Sequence, residues 1–84
     1  MRITRKDIAE TIKKGIYKHY KGGLYRVIGI GINRDTFKEF VVYEMLYDSQ
    51  DYPKGTIWLR AKDNFLESVK VDNKEVKRFA FMKK

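Results

Sequence analysis

In residues 15–31, GIYKHYKGGLYRVIGIG, a tyrosine, the chain's one histidine and a lysine fall at alternate positions, Tyr17, His19 and Lys21. In an extended strand that spacing puts the three side chains on one side and Ile16, Lys18 and Tyr20 on the other. Trp58 and Arg60 repeat the pattern, alternating with Ile57 and Leu59. Aromatic rings and guanidinium planes stack on nucleobases, and neighbouring cations meet phosphate. The expectation is that Ile16 and Tyr20, and Ile57 and Leu59, turn to the core. Tyr17, His19, Lys21, Trp58 and Arg60 would then form an aromatic-basic ligand-binding patch, with flanking charge from Lys14, Lys18 and Arg26. Other uses stay open for the same residues. His19 suits a structural role as well as proton transfer, and Trp58 and Arg60 could instead stack beneath an N-terminal helix. Tyr25, Tyr43 and Tyr47 read as core residues whose hydroxyls reach the rim.

Other chemistries find few residues. With one histidine and no cysteine, the common zinc spacings cannot be assembled from one chain. Ser49 and Ser68 stand in no nucleophile context. Gly29-Ile30-Gly31 lacks the third glycine and following helix of a dinucleotide fingerprint. Asp48 and Asp51 lack metal-loop spacing, and Asp63 and Glu67 read as a cap and a solvated strand residue. The chain is therefore expected not to be an enzyme, with no catalytic residue, metal ligand or cofactor. A small hydrolase or nucleotide-processing enzyme is the weaker alternative.

Charge points to partners. The 84 residues carry a net charge of +8. Up to Arg26, eight Lys and Arg residues stand against Asp7 and Glu10. Residues 27–52 are acidic on balance, and the chain turns basic again from Pro53 to Lys84. Such a balance favours nucleic acid or another polyanion through counterion release. A protein partner or an oligomer interface is the alternative. No apolar run is long enough to span a membrane, and the charged N-terminus is no secretory signal. Together with the lack of cysteine, this predicts a cytoplasmic protein of one domain.

The patch needs elements to hold it. Thr4 as N-cap, Ile8 and Ile12 on one face and Gly15 as a stop predict a helix over residues 4–14, docked as a lid on a sheet. Period-two alternation then predicts strands over 16–20, 24–32, 40–47, 56–61 and 66–71, with a last strand or tail over 76–82. Gly29 and Gly31 mark a bulge or bend, and residues 62–65 a helical turn. About five short antiparallel strands with strong bends and one short N-terminal helix predict a mainly β fold, a small barrel or roll over residues 15–79 with a basic tail over 80–84.

The pattern Tyr17-x-His19-Tyr20-Lys21-Gly22-x-x-Tyr25-x-Val27, followed by Val41-Val42-Tyr43, Trp58-x-Arg60, Phe65-x-Glu67-x-Val69 and Arg78-Phe79, resembles the bacterial domain-of-unknown-function family 1653. The likeness runs from about Gly15 to Phe79. It implies an SH3-like small barrel and brings no established activity, cofactor or partner. Two departures stand out. Ala61 replaces the proline that usually follows the arginine of the tryptophan motif, and residues 33–38 replace a short acidic-glycine turn, which puts Phe37 at a turn tip.

Overall fold

The computed structural model describes residues 12–84. Its elements in chain order are β1 (Gly15–His19), β2 (Leu24–Ile32), β3 (Glu39–Met45), β4 (Ile57–Ala61), the one-turn helix α1 (Lys62–Phe65), β5 (Ser68–Val71), β6 (Lys74–Lys77) and β7 (Phe79–Lys83). The predicted helix over residues 4–14 falls largely outside the described residues; Ile12, Lys13 and Lys14 carry no helix. Helical structure appears at α1, where a helical turn is predicted.

Five strands form an antiparallel sheet in the order β4-β3-β2-β1-β7, and β5 and β6 form a separate hairpin. The mainly β, antiparallel expectation is therefore met, and the closed barrel is not. Among the described residues β4 and β7 are the edges of the sheet, and the hairpin is hydrogen-bonded into neither edge as a strand. The turn of helix α1 separates β4 from β5 in the chain, and among the described residues the ladder is open. Residues 80–83, read as part of a tail, belong to β7, which pairs with β1 through Tyr17↔Phe81 and His19↔Phe79.

Turn chemistry sets the hairpins. Asp72 and Asn73 both take positive φ, 52° and 66°, the two-residue turn that matches strand twist. The β2–β3 turn is held by Asn33 Oδ1, which accepts the Asp35 and Thr36 N–H groups at 2.9 and 3.1 Å. The same turn forces Phe37 to φ 60°, a strained conformation for a bulky residue, and leaves its ring 62% exposed. Within β2 the register to β3 shifts between Val27 and Gly29, so the expected bulge is present.

One face of the sheet carries the core. Ile12, Tyr17, Val27, Val41, Tyr43, Phe65 and Phe79 form a single buried cluster, with Tyr25, Ile30 and Trp58 packed against it. Helix α1 exists to deliver Phe65, which stacks flat on Phe79 at 4.2 Å between ring centroids. Tyr17 and Tyr43 meet that pair edge-on, the favoured aromatic geometry.

The predicted face of β4 is reversed, and in β1 the expectation holds for Ile16, which is buried, but fails for the two tyrosines. Tyr17, expected outside, is 7% exposed, whereas Tyr20, expected inside, is 38% exposed. In β4 the ladder places Trp58 opposite Tyr43 and Arg60 opposite Val41, both inner-face residues. Ile57 and Leu59 consequently point outward, with Leu59 66% exposed. Apolar alternation alone misassigns β4 because Arg60 can lay its stem on the core and still satisfy its head group.

Candidate functional site

The inner face ends in a rim where several polar groups meet around Phe79. His19 is the last residue of β1, and its ring lies 4.9 Å from Phe79, edge-on, and 4.6 Å from Tyr20. Its Nδ1 accepts the Lys21 backbone N–H at 3.2 Å, which leaves Nε2 as the nitrogen that carries the proton in the neutral ring. Burial lowers the His19 pKa, and the positive charges of Arg60, Arg78 and Lys21 lower it further.

Arg60 is fixed from three sides. Nε donates to the Tyr43 hydroxyl at 3.0 Å, Nη1 donates to Asn64 Oδ1 at 2.6 Å, and the guanidinium carbon lies 5.3 Å from the Phe79 ring centre. Asn64 is available because α1 begins directly after β4, so strand and helix together orient one side chain. Arg78 enters from the short link between β6 and β7. Its Nη2 donates to Glu67 Oε1 at 2.7 Å, and its backbone carbonyl accepts the Tyr20 N–H, which ties the hairpin to the β1–β2 turn. The Arg78 Nε is buried and has no hydrogen-bond partner.

A tyrosine pair completes the rim. The Tyr25 and Tyr47 hydroxyls are 2.7 Å apart, and Tyr25 packs edge-on against Tyr43 and Phe79. Burial raises the Tyr25 pKa well above that of a free phenol, and the hydrogen bond to Tyr47 adds to the shift. The close approach of Tyr47 depends on Gly23, where a Cβ would fall 2.7 Å from the Tyr47 ring.

His19 and Arg60 both pack on Phe79, and Lys21 follows in the adjoining turn, its backbone N–H on His19. Trp58 is beside them but not presented as a stacking surface. It is half-buried, its Nε1 is enclosed without a partner, and Tyr52 covers it edge-on at 4.8 Å. Tyr17 belongs to the core beneath, with its hydroxyl donating to the Lys13 carbonyl at 2.7 Å. Lys14 and Arg26 lie at the other end of β1, and Lys18 lines a cavity of about 330 Å³ beside Val71, Val76 and Met82. Sequence reasoning about the patch missed Arg78, Asn64 and Phe79. Arg78-Phe79 stands in the family-like pattern, but its place beside His19 comes from the β1–β7 register, which no local spacing reveals.

Residues 15–81 match the sequence profile of DUF1653, described as a protein of unknown function. The chain belongs to the DUF1653 family. Its fold is similar to a crystal structure of a DUF1653 protein from Bordetella bronchiseptica, at 30% identity and a TM-score of 0.75, over 84% of this chain and 87% of the other. No curated protein matches. The family-like pattern read from the sequence is thus a true membership, and the rim residues His19, Tyr25, Arg60, Arg78 and Phe79 all lie inside the matched span. Among the described residues no helix is long and apolar enough to cross a membrane.

Proposed function

We propose that this DUF1653 chain is a small non-catalytic binding module that takes single-stranded nucleic acid, or a nucleotide, at the His19 rim. One observation carries the reading. Arg60 and His19 both pack on Phe79, Arg78 directly precedes that ring and Lys21 stands over the exposed Tyr20 ring, while the carboxylate hydrogen-bonded there, Glu67, serves Arg78 alone. Tyr20 takes over the stacking role first assigned to Tyr17 and Trp58, because its ring is the accessible one. Lys21 lies 5.8 Å from the centre of that ring and supplies a cation for phosphate next to a stacked base.

Labelled oligonucleotides read by fluorescence anisotropy test this. Tyr20→Ala is expected to weaken binding by roughly 1–3 kcal/mol, the usual loss for one stacked base. Lys21→Gln should weaken it less and make it less salt-sensitive. Equal retention of wild type and both variants across the panel would rule the rim out as the contact.

A second reading, a protein-interaction or oligomeric subunit, is favoured by the outer face. Ile57 and Leu59 are both exposed on β4, an edge strand of the sheet among the described residues. Light scattering should then show self-association that Leu59→Lys abolishes, and a strict monomer at high concentration speaks against it.

A further inference from the structure

A second cationic hollow lies away from the rim. A groove of about 650 Å³ lies at the opposite end of β1, lined by Lys13, Lys14, Arg26 and Lys84 over a floor of Val27 and Ile28. Three parts of the chain meet there: the entry to β1, the bulged middle of β2 and the end of β7. Among the described residues no acidic side chain lines it. Arg26 shares charge with Glu44 through a loose pair at 3.5 Å, and Lys13 stands 5.3 Å from the Phe81 ring centre. Among the described residues Lys14 and Lys84 have no ion pair. Like charges that line one groove repel one another, and a bound polyanion removes that cost.

Gly29 sharpens the point. Its φ is not in the positive range, and an added Cβ would meet nothing nearer than Lys14 Cε at 4.0 Å. Gly29 follows the β2 bulge, and no close packing among the described residues requires a glycine there. Its effect is to keep the strand beneath Lys14 bare.

The geometry points to this groove as a second binding site, one that takes the sugar-phosphate backbone of a single-stranded nucleic acid. A groove with cations on several sides fits a chain of phosphates better than the flat surface of a bilayer. The four residues of rise along β1 separate it from the rim by about 13 Å. It shares its ligand class with the rim reading but stands on its own residues, so each can fail without the other.

The test uses the full chain, a fluorescein-labelled single-stranded oligonucleotide and a series of salt concentrations. The variant Lys14→Gln/Arg26→Gln/Lys84→Gln removes three phosphate contacts. It should make the plot of log affinity against log salt shallower by roughly two units, at about 0.7 per phosphate. Gly29→Val crowds the Lys14 stem from the strand beneath it and removes no charge, and it should weaken binding. A triple variant with unchanged slope and affinity overturns the groove, and if Tyr20→Ala still weakens binding the rim survives alone. Loss in the triple variant with none in Tyr20→Ala supports the groove and removes the rim. Wild type that binds vesicles containing phosphatidylserine but no oligonucleotide overturns the choice of nucleic acid at both places.

Discussion

Phe79→Ala is expected to destabilise the protein by about 3–5 kcal/mol, the range for emptying a buried aromatic site. Phe79 is the ring on which the core turns. It stacks on Phe65, meets Tyr43 and Tyr25 edge-on, and supports His19 and the Arg60 guanidinium. Deleting it removes partners from four strands and the helix at once, and β7 loses its one buried side chain. Small domains are stable by only about 5–15 kcal/mol in total, so a change of this size takes a large share. Urea midpoints give the measurement, with Leu66→Ala as the control. Leu66 is exposed and adjacent to the same helix, and its truncation should cost no more than about 0.5 kcal/mol. Equal midpoints for the two variants would mean that the Phe65–Phe79 stack does not organise the core.

The same ring explains how far the sequence could be read. Strand periods were legible because each strand alternates: β2 and β3 fall where the alternation places them, and the Asp72-Asn73 turn and the β2 bulge follow from local residue chemistry. Which face of a strand is buried was not legible where both faces are mixed. In β4 the pair Ile57 and Leu59 outranks Trp58 and Arg60 in hydropathy, yet the ladder to Val41 and Tyr43 decides the matter. In β1, Ile16 and Tyr17 are buried as neighbours, which a period-two pattern does not provide for. Sheet closure was not legible either, since it depends on where α1 sends the chain. The site shows the same division. His19, Lys21 and Arg60 came from period-two spacing. Arg78 sits 59 positions beyond His19 in the chain and reaches it through pairing of the first strand with the last. Long-range register is the information that a local pattern lacks.

That register makes Arg60 the most informative rim residue to remove. Arg60→Ala deletes a charged hydrogen bond to Tyr43, another to Asn64 and the contact with Phe79. A loss of about 2–4 kcal/mol is expected from bonds of that kind together with the cation–π term. The variant also carries a second, independent readout in His19. Burial is the larger cause of the lowered His19 pKa, so it stays depressed in the variant, but removal of the Arg60 charge should raise it part of the way toward 6.5. Arg78→Ala should move it in the same direction, because that charge acts on the same ring. In wild type the unfolded chain takes up a proton near pH 6.5 while the native His19 resists it until lower pH. Stability therefore declines as pH falls below about 6.5 and levels off once the native ring is protonated. In Arg60→Ala that acid-dependent decline should be smaller, on top of the uniform loss, and in His19→Gln its His19 share should vanish. NMR titration of the imidazole and urea midpoints at neutral and mildly acid pH measure the two effects separately. An unchanged His19 titration in Arg60→Ala would show that the two groups do not face each other across Phe79, and the rim would lose the convergence of charge on which its binding role rests.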